Sequence, residues 1–243
     1  MITAEKSAPW TRLLAWYFRR RVRDAFAGVH CKGLSALRKT EAGVPVVLYG
    51  NHPGWWDAVL PILISHDVLR HDAYAMMEEK QLARYRFFRK IGTFSVVREN
   101  PREALRSLQY AAQLLRGRSR FLWLFPQGVI TSVDKRPLQF FNGTARLLRD
   151  LGDVIAIPVA FRYDFVEKER PEAFLAFGKP WRIRADEHVD IPLTTSLLEQ
   201  LIEYEMDVQR EEIMERDFGE YELIVPGKRS VNEWWDSLRQ MER

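Results

Sequence analysis

Short apolar runs alternate with helical stretches along most of this chain, and that alternation constrains the fold more than any other feature. The runs are VPVVLY at 44–49, AYAMM at 73–77, FSVV at 94–97, FLWLFP at 121–126 and VIAIPVAF at 154–161. Each is short and almost uniformly apolar, which suits a strand buried on both faces. Between them lie helical patterns at 56–69, 79–92, 100–117 and 143–152. The third has clear limits, with Asn100 as N-cap, Pro101 in the first turn and Gly117 at the end. Pro61 is expected to kink the first. Strands alternating with helices predict a single α/β domain, with a mostly parallel central sheet and helices on both faces.

The flanks add less regular pieces. Residues 1–8 read as a loose tail. Residues 9–28 read as an amphipathic helix, with Pro9 in its first turn and Gly28 past its end. On that helix Trp10, Leu13, Leu14, Tyr17 and Phe18 share one face. Arg12, Arg19 and Arg23 lie opposite, and Arg21 falls in the apolar arc. Beyond residue 172, FLAFG and WRIRA are expected as edge strands, 193–217 as a long charged helix, and 232–240 as a short aromatic helix. The expected division is an amphipathic helix over 1–30 and one α/β domain over 31–243.

Charge is uneven. The formal net charge is +4, yet five arginines fall between residues 12 and 23 with no acidic partner before Asp24. Such a cluster calls for an anionic partner: lipid headgroups, a phosphorylated substrate or nucleic acid. Aromatic and arginine side chains on one helix suit the plane of a membrane interface. The basic, aromatic run over 84–90 would extend that surface. Nucleic acid is disfavoured, because no helix-turn-helix, finger or RNP pattern occurs. The one cysteine, Cys31, rules out an internal disulfide and any zinc site built on several thiolates. No apolar run reaches the ~20 residues that a spanning helix needs. The first residues lack a signal-peptide pattern. The expectation is a protein on the cytoplasmic face of a membrane, peripheral or monotopic.

Familiar motifs narrow the chemistry by their absence. There is no G-x-G-x-x-G, no P-loop, no G-x-S-x-G and no H-E-x-x-H, and no metal is expected. What remains is His52, placed where the 44–49 strand ends. Pro53 and Gly54 turn the chain, and Asp57 falls in the first helical turn. That spacing lets a carboxylate accept a hydrogen bond from one imidazole nitrogen, leaving the other to take a proton from a hydroxyl. Carboxyl ends of parallel strands are where sites form. Two other segments end at that edge: IGTFSVVREN, with Arg98, and FLWLFPQGVITS, where Gly128 permits a close backbone approach.

Four blocks occur in order: Asn51–Asp57 (NHPGWWD), Gly92–Arg98, Phe125–Gly128 (FPQG) and Val154–Val159. Together they resemble the glycerolipid acyltransferases, the family of lysophosphatidic acid and glycerol-3-phosphate acyltransferases, over about residues 44–162. The resemblance implies transfer of an acyl group from a coenzyme A or acyl-carrier-protein thioester to a lipid hydroxyl, in phospholipid biosynthesis. The thioester is a co-substrate, and no cofactor is implied. His52 would be the general base and Asp57 its orienter. Arg98 would hold the acceptor's phosphate through its bidentate fork. Asn51, Pro126, Gln127 and Gly128 would shape the acceptor site, with lysophosphatidic acid as the acceptor.

Two positions depart from the family pattern. Gln127 stands where a glutamate is usual, and Phe141 stands where Phe-Lys-x-Gly would place a lysine. Both leave room for an acceptor without a phosphomonoester, such as a glycolipid. They also leave room for a catalytically silent lipid-binding module on the same fold.

Overall fold

The computed structural model of the chain describes residues 1–38 and 41–228, and beyond them Val231, Trp235 and Arg239. The aromatic helix expected over 232–240 lies outside the described residues apart from Trp235 and Arg239. Among the described residues one nine-stranded sheet forms the centre. Its strands are β1 (Gly28–Lys32), β2 (Val46–Gly50), β3 (Ala73–Glu78), β4 (Thr93–Val96), β5 (Phe121–Leu124), β6 (Val154–Asp164), β7 (Glu172–Phe177), β8 (Trp181–Ile183) and β9 (Glu222–Pro226). The order is β4-β3-β5-β2-β6-β7-β1-β9, with β8 beside β6. β4, β3, β5, β2 and β6 run parallel. β7 turns antiparallel to β6, and β1 is parallel to β7. The mostly parallel α/β domain expected from the alternation is the fold observed.

Alternate side chains of each strand pack on opposite faces. On one face Val46, Leu48, Phe121, Trp123, Val159 and Phe161 join Phe18 and Val22 of α1 (Ala8–Ala25). On the other, Val47, Tyr49, Leu122 and Leu124 meet α5 (Pro101–Leu115), α6 (Gly143–Leu151) and α7 (Ile191–Met214). Short helices α2 (Leu34–Arg38), α3 (Leu60–Leu63) and α4 (Glu79–Arg84) complete the set. The Asn100 cap forms as expected: its side chain accepts from the backbone N–H groups of Arg102 and Glu103.

Several expectations need correction. Residues 1–8 are not loose. Ile2 exchanges hydrogen bonds with Ser95, and the N–H groups of Glu5 and Ser7 donate to Arg89 and Lys90 carbonyls at 2.9 Å. The helix expected over 56–69 is three unlike turns. A 3-10 turn spans Trp55–Ala58, then comes α3, then a π turn over Ile64–Leu69. Pro61 lacks the N–H that would continue a regular ladder. The 79–92 stretch likewise divides into α4 and a 3-10 turn over Arg86–Ile91. β7 is interior, because β1 and β9, neither of them expected, pair beyond it.

Helix α1 splits the expected apolar face, with Phe18 turned to the core and Trp10, Leu13 and Tyr17 to the outside. Ala15, Phe18 and Val22 are buried, while Trp10, Leu13, Trp16, Tyr17 and Arg21 are exposed. The division expected at residue 30 falls inside β1. No described helix is long and apolar enough to cross a membrane.

Candidate active site

Five parallel strands end at one edge, and the residues after them converge there. β2 delivers Asn51 and His52, β4 delivers Arg98, β5 delivers Pro126 to Gly128, and β6 carries Tyr163 near its end. Asn51 continues the β2–β6 ladder with its side chain. Its Nδ2 donates to the Phe161 carbonyl at 2.9 Å, and its Oδ1 accepts the Phe161 N–H at 2.7 Å. That clamp fixes where the next residue points.

His52 Nδ1 lies 2.7 Å from Asp57 Oδ2. The same oxygen accepts the Gly54 N–H at 2.8 Å, closing the start of the 3-10 turn over Trp55–Ala58. Tyr163 donates its hydroxyl to the other carboxylate oxygen, Oδ1. Asp57 is fully buried, with 0% exposure, yet both its oxygens are satisfied. Burial, together with Asp57's charge and hydrogen bond, pushes the Tyr163 hydroxyl well above its ordinary value. It therefore stays protonated and remains a donor. The His52 ring stacks on Phe125 at 4.6 Å. With Nδ1 committed to Asp57, Nε2 has no protein partner among the described residues.

His52 and Asp57 line a cleft of about 1720 Å³ together with Arg98, Pro126 and Gly128. Its walls are largely apolar, including Pro61, Ile62, Met77, Phe88 and Ile91, and Arg146 enters from the first turn of α6. Asn51 and Gln127 are behind the wall instead. Gln127 is 3% exposed. Its Oε1 accepts the His52 N–H at 2.9 Å, and its Nε2 donates to Thr131 Oγ1 at 2.6 Å. Thr131 in turn donates its N–H to the His52 carbonyl at 3.0 Å.

Arg98 donates to the Gly128 carbonyl and pairs with Glu78 at 3.5 Å. Its Nε is buried without a partner. Gly128 has φ +66, and a Cβ there would lie 2.6 Å from the Arg98 guanidinium. Phe141, exposed, lines the cleft beside Gly128. The structure thus brings together His52, Asp57, Arg98, Pro126 and Gly128 on the cleft and places Asn51 and Gln127 as buttresses. Sequence reasoning missed Tyr163 and Thr131, and it named Phe125 only as part of the third block, without its stacking on His52. The one available signal for Tyr163 was the continuation of the β6 run past residue 161 into Arg162-Tyr163-Asp164.

A family model described as Acyltransferase matches residues 28–162. No curated protein matches. Eight chains of solved structures match, among them the one titled "X-ray structure of the Legionella pneumophila ATPase DotB". It is 12% identical, with a TM-score of 0.39. The match covers 85% of this chain and 63% of that one, a likeness too slight to bear on function.

Proposed function

The chain belongs to the acyltransferase family, and from that premise we propose that it moves a fatty acyl group from a thioester to the hydroxyl of a glycerolipid. The acceptor we favour is 1-acylglycerol-3-phosphate, and the donor is acyl-coenzyme A or an acylated carrier protein. One observation carries the reading: an imidazole held at Nδ1 by a buried carboxylate, with a free Nε2 on a large apolar cleft.

The chemistry follows from that arrangement. Asp57 keeps the proton on Nδ1, so Nε2 is the basic nitrogen. Nε2 takes the proton of the acceptor hydroxyl as its oxygen attacks the thioester carbonyl. The C–O bond forms, the C–S bond breaks, and His52 returns the proton to the departing sulfur. No protein nucleophile is needed. The apolar walls suit acyl chains. Arg98 holds the acceptor phosphate. An anion beside its unpaired Nε would remove a penalty of about 1–3 kcal/mol. Arg146 supplies a second cation where Phe141 replaces the expected lysine.

The same reading places the protein peripherally on the cytoplasmic face of a membrane. Trp10, Leu13, Trp16 and Tyr17 stand exposed on α1 beside its arginines, with Trp16 61% exposed. Exposed aromatics interleaved with arginines match a lipid interface. Phe141 favours a second reading of the acceptor, a lipid with no phosphomonoester. Labelled palmitoyl-coenzyme A, offered with lysophosphatidic acid, a lysophosphatidylcholine or a mixed lipid extract, separates the two. A product from lysophosphatidic acid supports the first, and a product from the extract alone supports the second. No product with either type of donor would leave a lipid-binding module.

A further inference from the structure

On the acyl-transfer reading above, we infer that Tyr163 is a positioning residue for the reaction: its hydroxyl, donated to Asp57 Oδ1, aims the carboxylate so that Oδ2 orients the His52 ring. Asp57 is fully buried. A buried carboxylate needs donors on both oxygens. Oδ2 has the Gly54 N–H at 2.8 Å and His52 Nδ1 at 2.7 Å. Oδ1 has Tyr163, the one side chain other than His52 that bonds this carboxylate among the described residues. Without that donor the carboxylate can rotate about its terminal torsion, a soft one. The imidazole would then lose its fixed partner.

The surroundings are built around this hydroxyl. The Tyr163 ring lies 5.5 Å from Phe26, which meets Trp56 edge-on at 5.1 Å. A Cβ on Gly54 would sit 3.4 Å from the Tyr163 ring, so the turn between His52 and Asp57 is in contact with it. Glu78 and Arg98, two of the charged residues that line the cleft, pair with each other. Tyr163 does not line the cleft, so it acts through Asp57 and not on substrate.

Tyr163→Phe keeps the ring and removes the donor. We expect kcat to fall by roughly tenfold to a hundredfold, the rate equivalent of one hydrogen bond to a charged group. KM for donor and acceptor should hold. In an Asp57→Asn background the same change should add little, because two residues acting as one unit are non-additive. A second measurement needs no turnover. The His52 Nδ1 proton should move upfield in the Tyr163→Phe spectrum, because a carboxylate no longer held at Oδ1 lets the Nδ1–H hydrogen bond to Oδ2 lengthen.

Full kcat in Tyr163→Phe, a loss confined to KM, or a loss fully additive with Asp57→Asn would overturn the role. So would an unmoved Nδ1 proton. Absence of transfer in the wild-type protein would instead sink the acyl-transfer reading, and the Nδ1 signal would still decide whether Tyr163 governs the pair.

Discussion

The backbone N–H of His52 donates to Oε1 of Gln127 at 2.9 Å, across a separation of 75 residues. The loops after β2 and β5 are thereby locked together behind the cleft. This recasts the departure at Gln127. A glutamate at this position offers the same acceptor to His52, so the change leaves that bond in place. Gln127→Glu should therefore retain most of the rate. Gln127→Ala leaves the His52 N–H unpaired, which costs about 1–3 kcal/mol. Its kcat/KM should fall roughly tenfold or more. Steady-state kinetics on the two variants checks the ranking.

Asn51 should matter for stability more than for substrate affinity. Its side chain closes two hydrogen bonds to the Phe161 backbone. Asn51→Ala strands both buried groups, for a loss of about 2–5 kcal/mol. Urea denaturation should show a lower midpoint with an unchanged slope.

Gly128 is the position where a single methyl should disturb Arg98. At φ +66 an alanine is strained, and its Cβ would meet the guanidinium at 2.6 Å. On the proposed role of Arg98, Gly128→Ala should raise the acceptor KM by roughly tenfold with a smaller effect on kcat. Arg98→Ala should act in the same direction.

Alkaline pH should unfold the protein before it ionises three tyrosines. Burial raises the hydroxyls of Tyr49, Tyr163 and Tyr221 above their ordinary value of 10.0. Each group's contribution is complete below that unfolded value and is lost as pH rises toward the folded one. Stability should thus hold to about pH 10 and fall above it. Tyrosinate absorbance from these three residues should appear together with loss of circular dichroism, not before it.

The exposed aromatic face of α1 gives a separable prediction for membrane binding. Replacing Leu13 and Trp16 with serine touches neither the cleft nor the buried face of the helix. Sedimentation with anionic vesicles should weaken, while transfer to a soluble short-chain acceptor should hold.

Much of this was legible from local pattern. The apolar runs were long enough to mark β2 to β6, and the Asn100-Pro101 pair marked the start of α5. His52 and Asp57 lie five residues apart, so one turn brings them together and the sequence shows both. What escaped depends on distant pairing. β1, with the sequence GVHCK, and β9 carry no long apolar run and gain their strand form from neighbours remote in sequence. Tyr163 reaches Asp57 across 106 residues, which no spacing argument contains. For α1 the periodicity was read correctly as helical, but hydrophobicity alone did not say which apolar side chains face the core. Small Ala15 packs inward while Trp10 and Trp16 stay outside.

On the proposed function, His52 is the base of an acyl transfer. The most direct test measures turnover of labelled acyl thioester onto lysophosphatidic acid by the wild-type protein and by His52→Ala, with folding of both checked by circular dichroism. A fall of several orders of magnitude in a folded variant is the predicted result. Equal turnover by the two proteins would rule out His52 as that base.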